Sequence, residues 1–259
     1  MREKLYDMSK YYDIAFSWDM SKEIEFYIQC FKKYVPFKVQ NLLEPACGSG
    51  RYLIEFPRYG YQITGYDINH NMIRYTQEKI SRADVNDQSA VVYGDMRSFN
   101  GQKKYDSAFN PINSFCYLLS DNEIKGHFDS IANSVKSGGI YILEFSYALG
   151  DLEDLDPIQW QMEREGVSVE TIWRVKKEDP RKKIGYEECE MKIDDNRKHF
   201  EFREEQIQRL WFYKDFEGLV EENGRLELIA IYNQKHHIVS STKNINGDMW
   251  NLYHILRIK

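Results

Sequence analysis

The sequence predicts an α/β fold with a mostly parallel sheet, helices on both faces and a small antiparallel β insertion. Two observations lead to this prediction. Residues 41–145 alternate short apolar runs with longer amphipathic stretches, which is the pattern of repeated strand–helix–strand units. Residues 158–210 instead alternate apolar and polar side chains, as expected of antiparallel strands with one exposed face.

The first part of the chain is expected to contain five strands. Apolar side chains in the segments that begin at Asn71 and Asp121 recur at intervals of about three or four residues, which predicts two helices. Asp121 is expected to cap the second helix. The expected strands are 41–46, 61–66, 89–93, 105–110 and 140–145, and the expected helices are 71–81 and 121–135.

The remainder of the chain is expected to interrupt and then complete this core. Two turn sequences, 179–181 and 194–196, divide the insertion into strands. A helix is expected over 212–223, ended by Gly224, followed by strands over 226–232 and 250–258. We therefore expect one core made of residues 1–150 and 211–259, with an insertion at residues 151–210.

Composition excludes several classes of protein. The formal net charge of -6 argues against a general nucleic-acid-binding protein, whose phosphate contacts require clustered Lys and Arg. The four cysteines show no C-x-x-C spacing, so neither a zinc site nor a disulfide framework is expected. Residues 1–10 lack the apolar segment of a secretory signal, and no apolar run approaches the roughly 18 residues of a membrane span. A cytoplasmic protein that binds neither membrane nor nucleic acid is therefore expected.

The most informative segment is the glycine-rich turn within residues 42–51, between a predicted strand and a predicted helix. Gly48 and Gly50 permit a tight backbone and the close approach of a ligand, and the helix that follows presents free N–H groups. Dinucleotide enzymes place a third glycine where this chain has Leu53. The Glu44 carboxylate before the turn would repel a phosphate, so it favours a ligand with a positive charge. The turn therefore suits S-adenosylmethionine (SAM) better than NAD.

Acidic residues follow the next two predicted strands. Asp67, after the second strand, is placed to accept hydrogen bonds from both hydroxyls of a ribose, which SAM and NAD share. Asp95, after the third strand, is placed to accept a bond from an adenine amino group, with Met96 packed on the ring. The segment that begins at Asn110 follows the fourth strand. These residues all fall at carboxyl ends of strands, where open α/β sheets bind ligands.

Together these motifs resemble those of class I, Rossmann-like SAM-dependent methyltransferases of the bacterial small-molecule or uncharacterised type. The resemblance covers about residues 10–146 and 212–232, and it implies a sheet of seven strands. It also implies an N-terminal helical lid, in which a Tyr12-Asp13 pair precedes an acidic helix at 21–34, and it makes the insertion a substrate-binding element. The motifs that carry the resemblance are Glu44-x-Ala46-x-Gly48-x-Gly50, Gly65-x-Asp67-x-x-x-x-Met72, Gly94-Asp95-Met96 and Asn113-Ser-Phe-x-Tyr-Leu118.

The resemblance also implies roles for the matching residues. Residues 44–50 would hold the methionine portion of SAM, and Ile68 would lie beside the adenine. Asn110 and Pro111 would lie near the sulfonium, and Tyr11 or Tyr12 would close over the cofactor. Arg51 either contacts the cofactor carboxylate or is a solvated helix residue. The expected cofactor-binding residues are Tyr11, Glu44, Ala46, Gly48, Gly50, Arg51, Asp67, Ile68, Met72, Gly94, Asp95, Met96, Asn110 and Pro111.

The sequence identifies no definite catalytic residue. SAM carries an activated leaving group, so the protein has mainly to align an N, O or C nucleophile and to exclude water. Asn113, Tyr117 and Tyr147 are the candidate acceptor-positioning residues. The segment Asn110-Pro-Ile-Asn113 lacks the second proline and the aromatic residue of enzymes that methylate nucleic-acid amino groups. A small-molecule acceptor is therefore expected.

Histidine positions favour no metal site. Two adjacent histidines, His236 and His237, would point to opposite faces of a strand and could not easily share an ion. His127 and His199 are expected at the surface or half-buried.

Two alternatives of a different class stay open. One is a non-catalytic SAM-binding or interaction protein with the same fold. The other is an NAD(P)-dependent oxidoreductase, against which Glu44 and the missing third glycine count. A monomer and a homodimer are both compatible with the sequence.

Overall fold

The computed structural model describes residues 4–101, 103–148, 156–196, 198–240 and 251–259. Within these ranges the chain forms a seven-stranded sheet, a four-stranded antiparallel sheet and six α-helices. None of the helices in these ranges has the length and apolarity needed to cross a bilayer. The helices are α1 (Ser9–Ala15), α2 (Ser21–Tyr34), α3 (Arg51–Glu55), α4 (His70–Arg82), α5 (Asp121–Ser134) and α6 (Tyr213–Asn223).

The large sheet confirms the predicted parallel architecture. Its strands are β1 (Asn41–Pro45), β2 (Gln62–Asp67), β3 (Ser89–Tyr93), β4 (Ser107–Asn110), β5 (Ile140–Phe145), β10 (Leu226–Tyr232) and β11 (Leu252–Ile258). They lie in the order β10-β11-β5-β4-β1-β2-β3. Among these strands β11 is antiparallel to both of its neighbours, β10 and β5, and the other pairs are parallel. Helices α2, α3 and α4 pack on one face and α5 and α6 on the other, as predicted.

Three of the predicted strands match the structure in both of their ends. Strands β3, β5 and β10 have the predicted bounds. Strand β4 begins later than predicted, because Tyr105 makes only an isolated bridge to Val135 before the regular ladder starts. Of the predicted last strand, Trp250 lies outside the described residues, and β11 begins at Leu252.

Helix ends agree with the sequence at one helix and differ at another. Gly224, with φ of 68°, ends α6 as predicted. The expectation that Asp121 caps α5 is wrong, because Ser120 is the N-cap residue. The Ser120 Oγ accepts the Glu123 N–H at 3.3 Å, and the Glu123 carboxylate accepts the Ser120 N–H at 3.0 Å. Asp121 begins the helix itself and pairs with Arg209 at 2.6 Å.

The insertion folds as the predicted antiparallel sheet, called here the insertion sheet. Its strands are β6 (Ile158–Arg164), β7 (Val167–Asp179), β8 (Ile184–Asp195) and β9 (Lys198–Arg209), paired in chain order. Val169 and Met191 on its inner face pack against Ile14 and Phe16 of the N-terminal segment. The N-terminal helix α1 is therefore held between the insertion sheet and the core.

Candidate functional site

The candidate site begins with a left-handed turn after β1. Ala46, Gly48 and Gly50 have φ values of 49°, 51° and 68°. A Cβ on Gly50 would lie 2.3 Å from the Thr76 Cγ2, so the turn can approach α4 this closely only with glycine at this position. Helix α3 starts immediately afterwards, and its first amide groups have no partner within the helix. The turn thus brings backbone donors to the carboxyl edge of the sheet.

Asp67, the last residue of β2, is fixed by this same turn. One carboxylate oxygen accepts the Gly48 N–H and the other accepts the Asn69 N–H, both at 2.8 Å. Burial raises the pKa of Asp67 above its usual value, although these amide bonds work in the opposite direction. Each carboxylate oxygen keeps a further lone pair, so Asp67 can still accept bonds from hydroxyl groups of a ligand.

A cavity of about 230 Å³ opens beside Asp67. Its wall is formed by segments that are far apart in the sequence, at the ends of β1, β2 and β3 and after β4. Ile68 is 53% exposed. The expected site residues that line the cavity are Ala46, Asp67, Ile68, Gly94, Asp95, Met96 and Tyr117.

Asp95 is held by a charged neighbour. The Arg97 Nε lies 2.9 Å and 3.0 Å from the two carboxylate oxygens of Asp95, and an Nη of Arg97 lies 3.2 Å from the Glu123 carboxylate. The hydrogen bonds from Arg97 lower the pKa of Asp95, so the carboxylate is ionised at neutral pH. The segment after β3 is thereby tied to the first turn of α5.

A second tie to α5 comes from His127, which was expected at the surface or half-buried. That expectation is wrong, because His127 is fully buried. Its Nδ1 lies 3.0 Å from the Met96 carbonyl oxygen, which can only accept, so Nδ1 carries the hydrogen. Its Nε2 then accepts the Tyr141 hydroxyl at 2.8 Å. Burial lowers the pKa of His127 to about 4, which keeps the ring neutral.

Buried polar atoms without a partner gather next to the glycine turn. Among the described residues, the Glu44 Oε2, the Ser49 Oγ, both Nη atoms of Arg51 and the Asn110 Oδ1 make no hydrogen bond. Because buried polar groups nearly always have partners, such a set indicates a place for a ligand. The acceptors of Glu44 and Asn110 suit an ammonium group, and the donors of Arg51 suit a carboxylate. These residues fit the amino-acid end of SAM.

The electrostatics of this end favour a cationic ligand group. Burial raises the pKa of Glu44 well above its usual value, and the nearby Arg51 guanidinium lowers it only in part. Arg51 is 8% exposed and lies over the Trp18 ring, 4.5 Å from its centre, so it is not a solvated helix residue. An ammonium beside Glu44 would favour its ionised form.

The loop after β4 contains unusual backbone geometry. Ile112 and Asn113 have φ values of 53° and 54°, and a β-branched residue rarely adopts this left-handed region. The Ile112 N–H donates to a Glu144 carboxylate oxygen at 2.9 Å, which holds the turn. The Asn110 Nδ2 donates to the Pro45 carbonyl at 2.8 Å. Backbone of this kind is often found at functional sites.

Sequence reasoning missed the acidic residue that supports this loop. Glu144 lies in β5, is 4% exposed, and has a pKa raised to about 8 by burial and by the neighbouring Glu23 carboxyl. The signal was present, since Glu144 is the only charged residue in the apolar strand 140–145. Glu23 gave no such signal, because an acid in the first turn of an amphipathic helix is ordinary.

The two tyrosines expected to close over the cofactor lie on different sides of α1. Tyr12 lies over the glycine turn, so that a Cβ on Gly48 would be 3.8 Å from its ring. Tyr11 turns away from the turn, and its hydroxyl donates to Asp195 at 3.0 Å, while its ring packs edge-on against Phe200. Of the two alternatives for the lid, the structure brings Tyr12 to the glycine turn.

Three other expected site residues, Met72, Asn113 and Tyr147, do not line the cavity. Met72 is on the buried face of α4 and does not line the cavity. Tyr147 packs against Phe145, and its hydroxyl has no partner among the described residues. Asn113 follows Pro111 in the loop after β4, and its buried Oδ1 is also unpartnered within the described part of the chain.

Comparison with known proteins agrees with this geometry. The family model of a methyltransferase domain matches residues 42–139. A curated relative from Streptomyces venezuelae, dTDP-3-amino-3,4,6-trideoxy-alpha-D-glucopyranose N,N-dimethyltransferase, is 24% identical over 107 residues. That match covers 41% of this chain and 43% of the relative, so the chain spans less than half the length of the curated protein it matches.

Solved structures resemble the whole chain. The structure of an S-adenosylmethionine-dependent methyltransferase from Clostridium acetobutylicum ATCC 824 has a TM-score of 0.74 at 18% identity and covers 96% of this chain and 97% of its own. Streptomyces venezuelae DesVI has a TM-score of 0.77 at 16% identity, with both chains covered completely. The methyltransferase-domain model thus matches residues 42–139, and the whole chain shares its fold with solved SAM-dependent methyltransferases. These similarities favour the methyltransferase interpretation over an oxidoreductase.

Proposed function

We propose that this protein is a SAM-dependent methyltransferase that transfers a methyl group to a nucleophilic atom of a small molecule. The observation that carries the proposal is the buried, unpartnered set of atoms on Glu44, Arg51 and Asn110. A dinucleotide would bring a pyrophosphate to the glycine turn, where the ionised Glu44 carboxyl would repel it. An amino acid with both its charges suits the same atoms well.

Each part of the site has a task in this proposal. Arg51 binds the carboxylate of the cofactor, Glu44 and Asn110 accept from its ammonium, and Asp67 accepts from the ribose hydroxyls. Asp95 is tied to Arg97 and shapes the wall beside the adenine. SAM supplies the activated methyl group, and the protein binds it, aligns the acceptor and excludes water.

Water exclusion falls to the N-terminal lid. The Tyr6 hydroxyl donates to the Tyr117 hydroxyl at 2.7 Å, which closes the lid onto the segment after β4. Tyr12 covers the glycine turn and stacks on Phe16, with 4.4 Å between ring centres. In this proposal the Tyr6–Tyr117 contact opens when the cofactor enters and closes again over it.

The acceptor is proposed to bind between Tyr117 and the inner face of the insertion sheet. The Cys189 side chain packs against α1 on that face. Glu187 lies two residues before Cys189 in the same strand, so its side chain lies on the inner face as well. Glu187 and Gln208 both lie close to the Tyr117 hydroxyl. A polar strip on the inner face of this sheet suits a small polar molecule.

An amine is the acceptor group that this strip favours. The Glu187 Oε2 accepts the Trp173 Nε1–H at 2.5 Å, and burial raises the pKa of Glu187. A protonated amine beside this carboxylate would pair with it and favour its ionised form. The relative from Streptomyces venezuelae is named as an N,N-dimethyltransferase of an amino sugar, which is consistent with such an acceptor.

A cytoplasmic location is part of the proposal. The four cysteines are free and buried, as is usual in a reducing compartment. Assembly as a monomer or a homodimer can be measured by light scattering.

Cofactor identity is tested first, by thermal unfolding with SAM, S-adenosylhomocysteine (SAH) and NAD added separately. A ligand at about 100 times its Kd stabilises by roughly 2.7 kcal/mol, which is a rise in Tm of about 5–10 °C for a chain of this size. The rise is expected with SAM and SAH and is expected to disappear in Asp67→Ala. Exposed Asp87→Ala is the matched control and should keep the rise. A shift with NAD alone would overturn the proposal.

The acceptor class is tested by SAH formation with panels of small primary amines, alcohols and thiols. Amines are expected to support turnover, and Glu187→Gln is expected to raise KM for the amine about tenfold, the cost of one lost charged contact of about 1.4 kcal/mol. Glu201→Gln, on the exposed face of β9, is the control. Cofactor binding without turnover on any panel would favour the non-catalytic alternative.

A further inference from the structure

Two carboxyl groups lie together behind the loop after β4. Glu23 of α2 is within hydrogen-bonding reach of Glu144 of β5. The Glu144 Oε2 accepts the Ile112 N–H at 2.9 Å, and the Glu23 Oε1 accepts the Tyr27 hydroxyl at 2.7 Å. The Tyr52 and Tyr253 hydroxyls are also within hydrogen-bonding reach of the Glu23 carboxyl. Two carboxylates this close cannot both be ionised without a large cost. A single shared proton between them removes it.

The charges around this pair do not neutralise it. Burial and Glu23 raise the pKa of Glu144, and they outweigh Arg51 of α3, which lowers it. Glu44 of β1 adds another buried carboxyl to the same cluster, with Asp67 beside it. The remaining titratable groups packed nearby are Tyr27 of α2, Cys47 after β1, Tyr52 of α3, Lys79 of α4 and Tyr253 of β11. The cluster as a whole carries more acids than bases, and an added positive charge would make ionisation easier.

The cofactor and its product differ by one positive charge, on the sulfur. In the proposed function Asn110 accepts from the cofactor ammonium, and the resemblance implies that Asn110 and Pro111 lie near the sulfur of the same methionine portion. Glu144 holds the amide of Ile112, the residue that follows Pro111. The carboxyl pair is therefore behind the part of the site where the charge of the ligand changes during the reaction.

We propose that the Glu23–Glu144 pair discriminates SAM from SAH by releasing its shared proton to solvent when the sulfonium ligand binds and by taking a proton up again when the neutral product occupies the site. This inference rests on the proposed function. The sulfonium favours the doubly ionised pair, which binds it more tightly. Loss of the methyl group removes that attraction, so the pair regains its proton and the product is held less strongly.

Proton release is measured by isothermal titration calorimetry at pH 7 in phosphate and in imidazole, whose ionisation heats differ. The dependence of the binding heat on buffer gives the number of protons exchanged. Wild-type protein is expected to release up to about one proton more with SAM than with SAH. Titration of the ligand amino groups is common to all variants and cancels when they are compared.

Variants separate the pair from its surroundings. The SAM–SAH difference in protons is expected to disappear in Glu144→Gln and in Glu23→Gln. It should persist in Glu227→Gln, an exposed acid on β10. The same difference in wild-type and Glu144→Gln protein, both folded, would overturn the inference.

The wild-type protein provides a further test, which holds even if both variants fail to fold. Burial and the neighbouring Glu23 raise the pKa of Glu144 to about 8, so release of a proton on binding makes SAM affinity rise with pH below that value. The ratio of the SAH Kd to the SAM Kd is expected to rise by up to about tenfold per pH unit between pH 6 and 8, and to level off above. A ratio that does not change with pH would refute the inference. Failure of SAM to bind at all would instead refute the proposed function.

Discussion

Removal of the Asp13 carboxylate should loosen the N-terminal lid. Asp13 is 1% exposed, and its two oxygens lie 2.6 Å from the Lys79 Nζ and 2.6 Å from an Arg164 Nη. Tyr75 donates a hydrogen bond to it at 3.0 Å. Because Lys79 also donates to the Ser49 carbonyl at 2.9 Å, this one carboxylate connects the lid, the insertion sheet and the glycine turn.

The size of the effect follows from burial. Lys79 is 18% exposed and would be left as an uncompensated charge, whereas Arg164 is 37% exposed and could be solvated. Breaking a buried ion pair from one side costs about 3–5 kcal/mol, and an exposed pair contributes about 0–1 kcal/mol. Since the Lys79 side is the more buried, we expect Asp13→Asn to lose about 3 kcal/mol of unfolding free energy, a fall in Tm of about 6–12 °C.

Urea denaturation at pH 7 measures this loss, and Arg164→Gln is the matched control. That control removes the more exposed partner and is expected to cost about 1 kcal/mol. Burial raises the pKa of Asp13, but Lys79 and Arg164 outweigh it and hold the pKa below the usual 3.8. The stabilisation is therefore complete above pH 3.8 and is lost as pH falls through the lower folded value. A loss below about 1 kcal/mol in Asp13→Asn at pH 7 would show that the lid is not held in this way.

Three further changes have defined outcomes. Gly50→Ala would put a Cβ against Thr76 at a positive φ, and we expect urea denaturation to show a loss of about 1–3 kcal/mol; an unchanged midpoint would contradict the geometry of the turn. Ser120→Ala removes the N-cap of α5 and should cost about 1 kcal/mol, while Ser168→Ala, which caps no helix, should cost little. Burial lowers the pKa of His127 from 6.5 to about 4 in the folded protein. Between these two pH values the unfolded chain therefore binds one proton that the folded protein does not bind. This histidine should therefore contribute a loss of stability of up to about 1.4 kcal/mol per pH unit on acidification from pH 6.5 to 4, and the slope measured for wild-type protein and for His127→Gln should differ by this contribution.

Local patterns in the sequence determined most of the fold. Strands β3, β5 and β10 coincide with short segments rich in apolar side chains, and such segments are recognised without knowledge of their neighbours. The end of α6 at Gly224 follows from the backbone freedom of one residue. At α5 the same reasoning failed by one position, because Asp121 and Ser120 are both good capping residues and only the side-chain geometry chose between them.

The sequence also determined which residues gather at the sheet edge. Ala46 ends a predicted strand, and Asp67, Asp95 and Met96 follow predicted strands. Parallel strands bring their carboxyl ends to one edge. Only the tertiary structure decided which distant charged groups lie beside one another. Glu144 and Glu23 are far apart in the chain, and their proximity depends on how α2 packs against the sheet. Contacts of this kind leave no periodicity in the sequence, because long-range packing joins residues that no local pattern connects.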